Sequence, residues 1–267
     1  MNIRLENKAL KQWLATINHK KMAALATVLP SETAKKYQME SKRLFLSAHE
    51  KQGELGDVDL ERKVIDWIKL KFSETVPKSE SKVFLLKSGE EINIFIDIYF
   101  PPIEIIIFGA GHDAIPLAAG SVALGYPTTV VDAREQFNTV SRFPFTKRLI
   151  FKSTDLHNIP ITEYTFIVIM NHHIEKDENT LAFALKSPAP YIGLLGPLSR
   201  REKILTRLEK KGINFKKHEM KKLNSPIGLD IGAESPEEIA ISILGEIIAF
   251  KNHHPAGFLH DSEKIHM

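Results

Sequence analysis

The sequence predicts an α/β protein: a C-terminal Rossmann-like parallel sheet with helices on both faces, preceded by a smaller N-terminal α+β domain. Three observations carry this. From Ile103 onward, short apolar strand patterns alternate with helical ones, as parallel sheets require. The apolar run Glu104–Phe108 leads directly into Gly109-Ala110-Gly111-His112-Asp113-Ala114 and then into a helical pattern. The next strand pattern ends on Asp132, 23 positions after Gly109, near the spacing of about 20 seen between a dinucleotide turn and its ribose acid.

The N-terminal elements come first. Leu5, Leu10, Trp13, Leu14 and Ile17 have helical spacing. Ala23–Leu29 and Leu44–Ala48 read as strands, and Leu60–Phe72 as a helix with Val64, Ile65, Ile68 and Phe72 on one face. Ser73–Ser81 is polar, carries Pro77 and reads as a loop. Lys82–Lys87 and Ile92–Phe100 read as strands joined at Gly89, and Pro101-Pro102 punctuates the chain. The expected organisation is therefore an N-terminal domain over 1–101, a nucleotide-binding domain over 102–252 and a C-terminal tail over 253–267 that holds His253, His254, His260 and His266.

In the second part, Asp113–Leu124 is helical and stops at Gly125, and Thr128–Asp132 is a strand. Arg148–Lys152, Phe166–Met170 and Tyr191–Leu195 read as further strands, with Asp177–Lys186 and Ser199–Lys211 as helices. The last helix spans Ser235–Phe250, with Ile239, Ile243, Ile247 and Phe250 as its core stripe. Ser199…Glu202 and Ser235…Glu238 both match the capping-box pattern, the second with a proline at the first helical position.

Composition bounds the function. The 267 residues are 43% hydrophobic and 26% charged, the composition of an ordinary globular chain. A net charge of +3 implies no whole-molecule attraction to nucleic acid. There is no cysteine, which excludes disulfides, thiolate metal sites and a cysteine nucleophile, and fits a cytoplasmic protein. No apolar run approaches the roughly 18–20 residues of a membrane span, and residues 1–11 lack a signal-peptide core.

The glycine turn carries the chemistry. Gly109 supplies a tight turn, Gly111 lets the backbone approach a pyrophosphate, and Ala114 stands where a third glycine allows close helix–strand packing. Free N–H groups at the helix start favour phosphate. The candidate cofactor-binding residues are Gly109, Ala110, Gly111, His112, Asp132 and Arg134. His112 could donate to a ligand oxygen or cap the helix. Asp132 is placed to accept from a ribose 2′-OH, which favours NAD, whereas Arg134 could offset a 2′-phosphate, so NAD and NADP both stay open.

Arg200 and Arg201 open a helix, where cations are unfavourable unless an anion sits there; the simpler expectation is a solvated pair. Between Leu198 and Lys222, ten Lys/Arg stand against three Glu, which reads first as a solvated face. His172-His173 follow a strand at the edge where α/β sheets bind ligands, near Glu175 and Asp177; neighbouring histidines point apart, so no metal is assigned. There is no G-x-S-x-G, H-E-x-x-H or P-loop pattern, and no catalytic residue is assigned.

The stretch FGAGHDAIPLAAGSVALGYPTTVVDAREQFNTVSRFP at 108–144 resembles the nucleotide-binding half of the XdhC/CoxI family, the xanthine dehydrogenase accessory proteins. The resemblance continues through YIGLLGPLSRREKILTRL at 191–208 and PIGLDIGAESPEEIAISILGEIIA at 226–249. It implies an accessory or maturation role rather than turnover: binding a nucleotide or the molybdenum cofactor, and delivering it to a molybdenum hydroxylase such as xanthine dehydrogenase. A homodimer is compatible with it. Ala24-Leu25-Ala26-Thr27-Val28 resembles the family's opening strand, but the glycine-rich stretch that follows there is replaced by Leu29-Pro30-Ser31-Glu32-Thr33. Gly53-Glu54-Leu55-Gly56-Asp57 stands where the family carries a cysteine motif, so a cofactor-handling thiol is missing. An NAD(P)-dependent oxidoreductase and a nucleotide-sensing regulatory module remain alternatives.

Overall fold

The computed structural model describes residues 8–18, 21–74, 77–150 and 156–261; Leu5, Phe151, Lys152 and His266 lie outside them. The chain divides into two compact units, residues 1–101 and 102–267.

The first unit holds α1 (Lys8–Asn18), β1 (Ala23–Val28), α2 (Glu32–Lys36), β2 (Arg43–Ser47), β3 (Lys51–Glu54), α3 (Val58–Phe72), β4 (Glu80–Leu85) and β5 (Glu91–Tyr99). Its five strands form an antiparallel sheet in the order β3-β2-β1-β5-β4. The two-residue alternation sorts the side chains. Ala24, Ala26, Leu44 and Ile94 pack with Leu60, Val64 and Ile68 of α3, while Leu25 and Phe45 face Ala9 and Trp13 of α1. Asp57 caps α3 by accepting from the Leu60 amide at 2.7 Å. β4 starts at Glu80, two residues before its apolar pattern, because the partner strand β5 extends far enough to pair with it. α2 and β3 go beyond the elements expected from sequence. β3 is a polar edge strand with no apolar alternation to read, and α2 is a five-residue helix held by a Ser31 cap.

The second unit holds β6 (Glu104–Phe108), α4 (Ala114–Ala123), β7 (Thr128–Val131), β8 (Lys147–Leu149), β9 (Thr165–Ile169), α5 (Ile174–Lys186), β10 (Tyr191–Leu194), α6 (Leu198–Lys210), α7 (Lys217–Met220), β11 (Leu223–Asn224) and α8 (Pro236–Lys251). All six strands are parallel, in the order β11-β10-β9-β6-β7-β8. The order reverses between β6 and β9, so a crevice opens there at the carboxyl ends of the strands. Helices cover both faces. Ile105, Ile107 and Val168 meet Leu117 of α4 and Ile243 and Ile247 of α8, while Ile106, Ile167 and Ile169 meet Leu181 of α5 and Ile204 of α6. Among the described residues no helix is long and apolar enough to cross a membrane.

The two capping expectations part company. Ser235 accepts from the Glu238 amide and Glu238 accepts from the Ser235 amide, a complete box. α6 instead begins one residue earlier, with Pro197 as the cap residue and no side-chain cap. Gly196, at φ +119°, delivers the chain from β10 in that register, and the amides of Arg200 and Arg201 bond to the Pro197 carbonyl. Ser235→Ala should therefore cost about 1 kcal/mol, whereas Ser199→Ala should stay within roughly 0.5 kcal/mol. Thermal unfolding of the two variants checks this, and an equal loss in both would place a cap at Ser199 after all.

Candidate functional site

The turn after β6 is built by close backbone approach. Gly109 has φ +117°, and a Cβ there would stand 2.4 Å from the Met170 carbonyl oxygen at the end of β9, so only glycine fits. Gly111 has an ordinary φ, but a Cβ on it would meet His172 Nε2 at 2.8 Å. His172 thus roofs the turn. It has φ +63°, unusual for a residue with a side chain, and its Nε2 lies 3.6 Å from Asp113 Oδ2. Among the described residues, the amides of Gly111, His112, Asp113 and Ala114 have no hydrogen-bond acceptor, and the Asp113 side chain does not cap α4. Pro116 lies in the first turn of α4, where the missing N–H costs nothing. The arrangement is a helix start with several amides left without an acceptor, chemistry suited to a phosphate.

Asp132 and Arg134 sit beside this turn, but the geometry gives Asp132 a different partner from the expected ribose. The residue is 4% exposed. Oδ2 accepts from the Ala110 amide at 2.8 Å and from Arg134 Nη2 at 2.7 Å. Oδ1 accepts from the Arg134 amide at 2.9 Å and from Arg134 Nε at 3.0 Å. A carboxylate offers about four acceptor sites, and all four are taken. Burial alone would raise this carboxyl; the Arg134 side chain and the two amides outweigh it and hold the group at about 2.

Two groups that sequence reasoning passed over complete the surroundings. Arg142 donates to the Gly111 carbonyl at 3.2 Å and to the Phe137 carbonyl at 3.0 Å. Lys176, in the first turn of α5, lines a small crevice with Asp132, Asn171 and Thr180 at the ends of β6, β7 and β9. Neither carries a sequence signal, because each is brought in by a different loop or helix. His112 is exposed at the mouth, and His173 is the cap residue of α5 without a side-chain cap bond. Among the described residues no group of three or more His, Asp or Glu side chains converges as metal ligands.

Arg200 and Arg201 are not a solvated pair. Arg200 makes two bonds, of 3.0 and 2.6 Å, to Asp177, which is fully buried and also accepts from the Asn171 amide and side chain. Arg201 donates to the Ser225 carbonyl. The basic stretch that follows is likewise partly consumed: Arg207 and Lys211 both pair with buried Glu178. Buried carboxylates demand such partners, and that demand, invisible in the local sequence, drew these cations inward.

A family model described as the XdhC Rossmann domain matches residues 105–247, which is more than half of the chain and contains the turn, Asp132 and the whole C-terminal edge of the sheet. The chain belongs to the XdhC family. It is 34% identical over 175 residues to a probable xanthine dehydrogenase subunit of Bacillus subtilis (strain 168), a match covering 65% of this chain and 50% of that one. It is 28% identical over 174 residues to the uncharacterized protein YqeB of Escherichia coli (strain K12), covering 64% of this chain and 31% of that one. The chain therefore spans half or less of the curated relatives it matches. A crystal structure of a xanthine dehydrogenase from Bacillus halodurans superposes with a TM-score of 0.64 at 26% identity, covering 91% of this chain and 67% of that one. Family and fold thus agree with the sequence resemblance.

The depressed Asp132 carboxyl makes stability depend on pH. Its folded value, about 2, lies below the ordinary 3.8, so its contribution is full above that ordinary value and vanishes as pH falls through about 2. Wild type should lose about 2 kcal/mol between roughly pH 5 and pH 2 from this group. Asp132→Asn should be less stable at neutral pH and should show a correspondingly shallower loss over that interval. Identical slopes in denaturant titrations of the two proteins would remove Asp132 from this role.

Proposed function

We propose that this chain is an accessory protein for a molybdenum hydroxylase of the xanthine dehydrogenase type, and that its second unit holds a phosphate-bearing cofactor, a nucleotide or the molybdenum cofactor, for presentation to that partner. The observation that carries this is the turn Gly109–Asp113 at the crevice between β6 and β9, in a chain of the XdhC family. The free amides at the start of α4 suit a phosphate end of either ligand, with Gly111 and His112 as the closest holders and His172 as roof. Nothing among the described residues is arranged to ligate a metal, and the chain has no thiolate. The protein's part is to fix the phosphate and leave the reactive end of the cofactor accessible to a partner.

An NAD(P)-dependent oxidoreductase is the second reading, favoured by His172 beside Asp113 at the turn. That pair could move a proton near a bound nicotinamide. Hydride exchange between a reduced nicotinamide and an added carbonyl or hydroxyl compound separates the two readings.

Purified protein should be stabilised by one of NAD, NADH, NADP, NADPH or molybdopterin cofactor. A ligand at about 100 times its dissociation constant contributes about 2.7 kcal/mol, a shift of several degrees. Gly111→Val, which adds a side chain against His172, should abolish the shift. Co-purification of a molybdenum hydroxylase with the wild-type chain is expected as well. Ligand shifts that survive in Gly111→Val would take the cofactor away from this turn; no shift and no captured dehydrogenase would overturn the proposal.

A further inference from the structure

The loop between β7 and β8 places two arginines on one aromatic ring beside the phosphate turn. The Arg134 guanidinium lies 4.4 Å and the Arg142 guanidinium 5.1 Å from the centroid of Phe137. The loop is held in shape from below. The Asn138 side chain donates to the carbonyls of Val130 and Leu149, on β7 and β8, at 3.1 Å each, and Phe143 is buried in the core next to Arg142. Arg142 is tied to the phosphate turn itself through the Gly111 carbonyl. The pair is therefore anchored at the end of β7, where a dinucleotide fold receives the adenosine ribose.

The charges here do not match a plain ribose. Asp132 is saturated by its four donors and neutralised by Arg134, so a 2′-hydroxyl could bond to it only by breaking a charge-assisted bond. What faces outward is cationic. Among the described residues, Arg134 Nη1 and Arg142 Nε have no hydrogen-bond partner, and the Arg134 side chain remains 29% exposed. Apart from the buried Asp132, exposed Glu135 is the one acid of this loop, against Arg134 and Arg142 within it and Lys147 and Arg148 on β8.

We infer that Arg134, Phe137 and Arg142 form a second anion subsite, so that the turn takes a nucleotide carrying a phosphate on its ribose in preference to one with a free 2′-hydroxyl. The inference rests on the nucleotide reading of the turn and goes further by naming the ligand class. Arg142 and Arg134 are the specificity-determining residues, and Phe137 holds both guanidiniums in place by cation–π contact.

Isothermal titration of the full chain with NADP⁺ against NAD⁺, and with adenosine 2′,5′-bisphosphate against AMP, tests this. In each pair the 2′-phosphorylated member should bind about tenfold tighter or more. Arg142→Ala should bring the ratio close to one, and Arg142→Lys, which restores charge but not the two carbonyl bonds, should recover part of it. A purely structural role for Arg142 would give no recovery with lysine. A ratio near one in wild type, or one unchanged in Arg142→Ala, overturns the inference. If both members of a pair bind equally and Gly111→Val abolishes both, the turn stands and only the subsite falls; if no nucleotide binds, the subsite falls together with the nucleotide reading of the turn, and the molybdenum-cofactor reading is left to its own test.

Discussion

The carboxylate of Asp132 is the constraint on which the candidate site depends. It sits at the end of β7, is almost fully buried, and is ionised because four donors converge on it. One donor is the amide of Ala110, in the middle of the glycine turn; the other three belong to Arg134, at the start of the β7–β8 loop. A single side chain thus fixes the path of the turn after β6 and the path of the loop after β7. An unpaired carboxylate at this burial would be too costly to keep charged, so neither segment can move away without undoing the other. The Ala110 amide is bound to Asp132, whereas among the described residues the amides of Gly111 to Ala114 have no acceptor.

The opposite side of the crevice is organised by the same physics. Asp177, fully buried in the first turn of α5, binds the Asn171 amide and side chain and the Arg200 guanidinium, joining the end of β9 to α5 and α6. The last segment closes onto β10 by shape. Ile227 packs where Gly193 has no side chain: a Cβ there would stand 2.0 Å from Ile227 Cδ1. Gly228, at φ +107°, lies against Ser242 of α8, and its amide donates to Glu246, whose carboxyl is pushed up by burial. Within residues 226–249, the Ser242 hydroxyl donates to the Leu229 carbonyl and Glu246 accepts from the Gly228 amide.

The legible parts of the fold are those where one local rule decides the outcome. The helix after the glycine turn, five of the six strands of the second unit and the Ser235 cap follow from periodicity, glycine placement and a reciprocal box, all of which act within a few residues. β3 escapes such reading because a polar edge strand has no core face to pattern it. The start of α6 is misplaced by the local pattern because Ser199…Glu202 satisfies the capping rule, while Gly196 and Pro197 set the cap two residues earlier.

The sequence by itself determined the class of the second unit, the position of its glycine turn and its family. Each rests on short runs whose chemistry is local: apolar strands, a glycine pair and a capped helix. Only the tertiary structure decided what the charged groups do. Asp132, read as a free acceptor for ribose, is saturated by Arg134; Arg200, read as solvated, neutralises Asp177; Arg142 and His172 arrive at the turn from loops 31 and 61 positions beyond Gly111. A charge is assigned by the partner it finds when buried, and that partner is set by how the strands are ordered in space.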